Sequence, residues 1–91
     1  SMSSFLLYRP FELLRNYVSP EHIPIKLIGS GRDYDYRHDG ISHWAHDDEI
    51  VLKALPNIGC YKPSSIVELE NIWDRFINSD SPEYLNLTRK I

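Results

Sequence analysis

The chain is poor in cysteine, in charge of one sign and in long apolar runs. Its single cysteine, Cys60, excludes an internal disulfide. Such use of cysteine fits a reducing, cytoplasmic setting. No apolar run approaches the roughly 20 residues that a membrane span needs, so no membrane partner is expected. Ten Lys and Arg face thirteen Asp and Glu, for a net charge of -3, and no basic run stands out. Binding to a nucleic-acid backbone relies on clustered Lys and Arg, so nucleic acid is not expected either. There is no visible signal peptide, internal repeat or low-complexity segment. What is present, 42% hydrophobic and 25% charged residues over 91 positions, describes one small globular domain. Ser1-Met2 reads as an expression scar, which leaves 3–91 as the domain.

Along the chain, helices and strands alternate. Pro10 can open a helix, because its missing N–H costs nothing in a first turn. Phe11, Leu14, Tyr17 and Val18 then give one apolar face, and Ser19-Pro20 ends it. Residues 23–28, IPIKLI, read as a strand broken by Gly29-Ser30-Gly31. Residues 30–43 form a long polar loop without hydrophobic period, of a length often tied to function. Residues 44–55 read as a helix with Ser42 as N-cap, Asp47 and Asp48 in its first turns, and Val51, Leu52 and Leu55 as its buried stripe. A short strand over 58–62 follows. Ser65 and Glu68 then form a capping box for a helix over 65–78, whose apolar face carries Ile66, Leu69, Trp73 and Phe76. Tyr84 to Thr88 alternate as a half-buried strand.

This order predicts an α/β domain: a small parallel sheet of about three strands with βαβ crossover helices. Three strands and three helices are few for a parallel sheet, which needs cover on both faces. The sheet is therefore expected to be completed by a partner chain, a second copy or a further part of the protein.

The chemistry concentrates in Arg37 to Asp48, RHDGISHWAHDD, which holds His38, His43 and His46 together with Asp39, Asp47 and Asp48. The loop follows the first strand, where α/β sheets gather their ligands. One reading is a metal site, with ligands from His38, His43 and His46 together with Asp39 or Asp47, and with His43 and His46 sharing a helix face; that reading would make the chain a metal-dependent hydrolase. No recognised spacing such as HExxH supports it. The plainer reading gives His43 and Asp39 turn and cap roles, Asp47 and Asp48 helix-start roles, and Trp44 and Tyr36 packing roles. Cys60, mid-strand, reads as a small buried hydrophobe rather than a nucleophile.

An ordered set of segments resembles one known family. Asp39-Gly40-Ile41-Ser42-His43, the acidic pair Asp47-Asp48, Lys53 and Pro56-Asn57 resemble the D-G-P-T-H, acidic pair, basic residue and P-N pair of transketolase-like thiamine diphosphate enzymes. SFLLYRPFELLRN (4–16) is similar to that family's S-F-x-x-x-R-A-F-E-Q-I-R-N segment, and PIKLIGSG (24–31) to its next strand and glycine turn. YLNLTR (84–89) resembles its last strand, which ends in S-R. The likeness covers the later half of the family's pyrimidine-binding domain.

The resemblance implies a transferase part, a fragment or split subunit of an enzyme that moves a ketol group by way of thiamine diphosphate. It implies that Phe5 lies against the aminopyrimidine ring, that Asp39 binds cofactor and substrate, and that His43 binds substrate and acts in catalysis. Arg89 would bind the phosphate of a sugar phosphate or a related small molecule. Diphosphate and magnesium are held by another domain in that family, so this chain is expected to hold no metal. The departures are specific. Ile41 and Ser42 replace Pro and Thr, Gly31 stands where many transketolases have a substrate histidine, and Pro10 follows Arg9 where alanine is usual. The family's activating glutamate precedes the matched region, and Glu12 matches a different position. Two readings follow: a part that is inactive alone and works once assembled as a homo-oligomer or with a partner subunit or domain, or a non-catalytic interaction or regulatory module derived from that fold.

Overall fold

Three parallel strands carry the molecule in the computed structural model, which describes residues 1–89. Strand β1 is Lys26–Ser30, β2 is Gly59–Tyr61 and β3 is Glu83–Leu87. Their order is β1-β3-β2, so the last strand in sequence lies in the middle. The register pairs Lys26 with Glu83 and Ser30 with Leu87 on one side, and Gly59 with Glu83 and Tyr61 with Leu85 on the other. The α/β class and the parallel sheet agree with the sequence reading.

Helices fill the connections. Helix α1 is Ser3–Tyr8 and α2 is Phe11–Leu13, continued by a π-helical turn over Leu14–Val18. Helix α3 is Asp48–Leu52, and α4 is Ile66–Ile77. The register places Leu27, Tyr84 and Cys60 on one face of the sheet, and Ile28, Leu85 and Tyr61 on the other. The first face holds the main core: Leu7, Leu14, Leu52, Leu55, Ile58 and Tyr84, with Phe11, Val18 and Leu27 packed against them. On the second face Phe76 of α4 meets the Tyr61 ring at 5.8 Å. Fully burying a side chain of this size contributes about 1.5–3 kcal/mol, so Phe76 is the anchor of α4.

Several sequence boundaries shift. The first helix begins at Ser3, not at Pro10, because Gly29 lets α1 lie on β1: a Cβ at Gly29 would stand 2.9 Å from the Ser3 Cα. Tyr17, expected on the apolar face, is exposed, since the π-turn rotates it away from Leu14 and Val18. The first strand starts at Lys26 and includes Gly29 and Ser30. The predicted helix over 44–55 shortens to Asp48–Leu52, and Ser42 does not cap it. The last strand is not half-buried: Glu83 to Asn86 are all buried, because β3 is flanked by both other strands and covered on both faces. Ser65 does cap α4, accepting from the Glu68 N–H at 3.2 Å, while Glu68 takes the Ser64 N–H at 2.6 Å. Ser1 and Met2 lie along the end of β1, where the Ser30 N–H donates to the Ser1 carbonyl at 3.0 Å.

Candidate functional site

The long loop after β1 is ordered by short-range hydrogen bonds rather than by a core. Two 3-10 turns, Arg37–Asp39 and Ile41–His43, meet at Gly40, whose φ of 85° is the left-handed backbone that suits glycine. An antiparallel bridge between Asp33 and Ala45 closes the loop at its base. Asp35 ties it to the sheet: its Oδ2 accepts from the Arg32 N–H, the Thr88 hydroxyl and the Arg89 N–H at 3.2, 2.9 and 2.8 Å. The loop is thus joined to the segment that follows β3.

His43 comes to rest against Phe5, ring centroids 5.1 Å apart, edge to face. Two hydroxyls fix its position. Ser4 of α1 donates to the Ser42 carbonyl at 2.8 Å, and the Ser42 hydroxyl meets His43 Nδ1 at 2.8 Å. His43 Nε2 has no hydrogen-bond partner among the described residues. One face of Phe5 carries the Arg9 guanidinium, 4.0 Å from the ring centroid. Tyr36 lies 6.3 Å from the His43 ring, and the Arg89 guanidinium lies 4.8 Å over Tyr36. Phe5, His43 and Arg89, three of the four residues that the resemblance singles out, are therefore linked through Tyr36. Asp39 stands apart: it is exposed on its 3-10 turn, and its carboxylate makes no hydrogen bond among the described residues. Glu12 is exposed on α2.

Sequence reasoning treated Tyr36 as packing, yet it is the hub of this group. Its ring also explains Gly31. Gly31 is buried with φ 92°, and a Cβ there would lie 2.5 Å from Tyr36 Cδ2. No histidine fits at Gly31 while Tyr36 keeps this place. The one available signal was the departure from the family pattern at Gly31, five residues before an aromatic.

An open cleft of about 770 Å³ lies beside the cluster. Arg32, Asp33, Tyr34, Asp35 and Arg37 come to it from the loop after β1, Ser64 from the turn after β2, and Thr88 and Arg89 from the end of β3. It opens at the C-terminal ends of all three strands, the position where α/β sheets bind ligands. Arg32 Nη1 reaches the Pro63 carbonyl at 3.2 Å and the Ser64 hydroxyl at 3.3 Å, so it spans the mouth from the β1 loop to the β2 turn.

A second polar cluster is buried behind the site. Asp48, at the start of α3, accepts from Lys62 Nζ at 2.6 Å, the Tyr84 hydroxyl at 3.1 Å and Asn86 Nδ2 at 2.9 Å. Ser3 adds a 2.6 Å bond to Asn86 Oδ1. Burial alone would lower the Lys62 pKa, but the hydrogen bond and charge of Asp48, with Glu49, outweigh it and raise it. Burial and the Asp48 charge hold the Tyr84 phenol well above its ordinary range. Asp47 accepts from the Tyr8 hydroxyl, whose pKa burial and this bond push up. Asp48 is thus no simple helix-start charge; it joins α1, α3, β2 and β3.

The metal reading loses its geometric basis. His46 stacks on Tyr34 at 5.1 Å and sits edge-on to Trp44, turned into an aromatic group of its own. Among the described residues no three His, Cys, Asp or Glu side chains are grouped to hold an ion. Among the same residues no helix is long and apolar enough to cross a membrane.

No protein-family model matches the chain. A Methanocaldococcus jannaschii protein named as a transketolase C-terminal section is 24% identical over 90 residues, covering 99% of this chain and 28% of that protein. An uncharacterized 33.6 kDa protein of the fasciation locus of Rhodococcoides fascians is 23% identical over 91 residues, covering 29% of its length. Among solved structures, a split gene transketolase, described as an inactive beta4 tetramer, superposes with a TM-score of 0.77 over 97% of this chain and 27% of that one, at 23% identity. The chain therefore spans less than a third of the length of the relatives it matches. Over nearly its whole length, it has the fold of one part of a transketolase-type chain and resembles a transketolase C-terminal section in sequence.

Proposed function

We propose that this chain is one part of a transketolase-like transferase, supplying one wall of a shared thiamine diphosphate and substrate site. The observation that carries the reading is the contact of Phe5 with His43, 5.1 Å apart, linked through Tyr36 to Arg89 of the cleft. The residues present fit the aminopyrimidine end of the cofactor. Phe5 is half-buried, with its ring held by Arg9 on one face and His43 at its side, and an aromatic wall suits a flat heterocycle. Thiamine diphosphate, when bound, supplies the carbon chemistry of ketol transfer.

The protein's own residues bind and orient. His43, held at Nδ1 by Ser42, presents Nε2 to hydrogen-bond or move a proton at a substrate hydroxyl. Arg89 and Arg32 present planar guanidiniums to the substrate's anionic group, a sugar phosphate or a related small molecule. Asp39 reaches cofactor and substrate only once its exposed turn is covered, which points to a partner chain, a second copy or a further domain. Diphosphate, magnesium and the activating glutamate belong to those portions. The chain alone is then inactive.

A second reading, a module that kept the fold and lost the chemistry, is favoured by one observation. Tyr36 fills the place where a substrate histidine at position 31 would stand. Calorimetric titration with thiamine diphosphate separates the two. Binding that appears only with the complementary section present is the expected result. No binding under any pairing leaves the non-catalytic module.

A further inference from the structure

What stands behind a histidine decides what it offers in front. A carboxylate behind Nδ1 holds a proton there and leaves Nε2 as an acceptor, the arrangement of a general base. Behind His43 there is no carboxylate. Among the described residues, its Nδ1 meets only the Ser42 hydroxyl, at 2.8 Å. The nearby Asp47 is engaged elsewhere: it accepts from the Tyr8 hydroxyl and lies 4.0 Å from Nδ1 of a different ring, His46.

The Ser42 hydroxyl is itself held in place. Ser42 lies on the 3-10 turn Ile41–His43, and its carbonyl accepts from the Ser4 hydroxyl at 2.8 Å. Ser4 is 1% exposed on α1. It precedes Phe5, whose ring meets His43 at 5.1 Å. One helix thus fixes both the turn and the ring.

A hydroxyl and a neutral imidazole can bond in two ways. The O–H can donate to Nδ1, or Nδ1–H can donate to the oxygen. The first uses the better acceptor, because an imidazole nitrogen, with a pKa of about 6.5, is far more basic than an alcohol oxygen. We propose that Ser42, anchored through Ser4, is a positioning residue that donates to Nδ1 and holds neutral His43 in its Nε2–H form. His43 then faces its ligand as a hydrogen-bond donor to a carbonyl, hydroxyl or developing alkoxide oxygen, and not as a base. This rests on the reading of His43 as a substrate-facing group and specifies what that group presents.

Long-range nitrogen–proton NMR of the full chain reads the tautomer directly, since protonated and unprotonated ring nitrogens resonate far apart. The measurement is made at roughly pH 8.5, above the ordinary imidazole range. Nε2 of His43 should carry the proton in the unsubstituted chain. Ser42→Ala should move the ratio toward Nδ1–H by about fivefold, the worth of one ordinary hydrogen bond. Ser42→Thr keeps the hydroxyl and should restore the ratio. Ser42 is exposed, so neither substitution disturbs the core, and a merely structural role would leave the tautomer ratio where it is. An Nδ1–H majority in the unsubstituted chain, or a ratio that Ser42→Ala leaves unchanged, overturns the inference. The underlying reading fails on a different measurement: absence of thiamine diphosphate binding in every pairing with the complementary section overturns the substrate-facing role of His43, while the tautomer result stands.

Discussion

Asp48 is the residue on which most of the chain converges. It is fully buried, 0% exposed, and its donors are Lys62, just after β2, and Tyr84 and Asn86 of β3, all distant from it in sequence. Removing one partner of a buried ion pair strands the other, at a cost of about 3–5 kcal/mol. Asp48→Ala should therefore destabilise the fold by about 3 kcal/mol, the lower end of that range because Glu49 still faces Lys62 at 3.6 Å. A denaturation midpoint close to that of the unsubstituted chain would contradict the network's role. Gly31→Ala tests a second single-residue constraint. It forces a side chain to φ 92° and against the Tyr36 ring, and strained backbone of this kind costs about 1–3 kcal/mol. Part of the loss should return in Gly31→Ala with Tyr36→Ala, because the clash is removed while the backbone strain stays. Strict additivity would show that Tyr36 is not the obstacle. Cys60 gives a pH prediction. Expected to be a small buried hydrophobe, Cys60 is exposed on β2; partial desolvation by the strand around it and the nearby Asp48 charge still raise its thiol from the ordinary 9.0 to about 11, against the opposing pull of Lys62. The folded thiol holds its proton more tightly than the unfolded one. Its contribution to stability is thus complete below pH 9 and lost as pH rises toward 11. A shift of that size leaves about 100-fold less thiolate at pH 8. Alkylation of the folded chain should accordingly be slow at pH 8 and accelerate steeply above pH 10, with the unfolded chain reacting fast throughout.

Among the elements, β3 joins most of what the sequence leaves separate. Alternation of Leu85 and Leu87 with Tyr84 and Asn86 suggested one wet face, but polar Asn86 and Tyr84 are buried by Asp48 and Ser3. Periodicity reports how apolar a face is, and it cannot distinguish a solvated polar group from one satisfied inside. The same limit explains Asp48, which in sequence is one more acid in a helix's first turn. Helix α4 was legible almost to the residue, because the Ser65 cap and the apolar spacing are both local signals. Helix α1 was not, because it rests on Gly29, distant in sequence. The site was legible in part: Phe5 and His43 meet, Arg89 joins them through Tyr36, and Asp39 stays outside. The start of β3 carries a further element-level constraint. Glu83 lies in line with Gly59 of β2, its Oε2 buried without a hydrogen-bond partner among the described residues, and a Cβ at Gly59 would stand 2.9 Å from the Glu83 Cδ. Gly59→Ala should destabilise β2–β3 pairing by about 1–3 kcal/mol as overpacking does. Paired with Glu83→Ala it should be close to harmless relative to Glu83→Ala alone. Equal cost in both backgrounds, measured by thermal unfolding, would show that Glu83 does not set the glycine.

At the scale of the whole molecule, the two faces of the sheet are unequal. Helices α1, α2 and α3 cover the first, while α4 alone serves the second. Ile28 is left 41% exposed, with Trp73 and Ile77 each 40% exposed on α4. Strands β1 and β2 are both edges, and a parallel edge strand turns alternate N–H and C=O groups outward. An apolar area beside open edges is where a further chain or a second copy gains burial. Relatives more than three times as long than this chain carry additional sequence with which such a face can be covered. The isolated chain should therefore self-associate, with a sedimentation coefficient that rises with concentration. Ile28→Lys together with Trp73→Glu should return it to a monomer with unchanged circular dichroism, since both side chains are already part-solvated. A sharp monomer peak for the unsubstituted chain at every concentration would mean that the face is closed without a partner. In that case the wall formed by Phe5, His43 and Arg89 would have to work unassisted, against the shared-site reading.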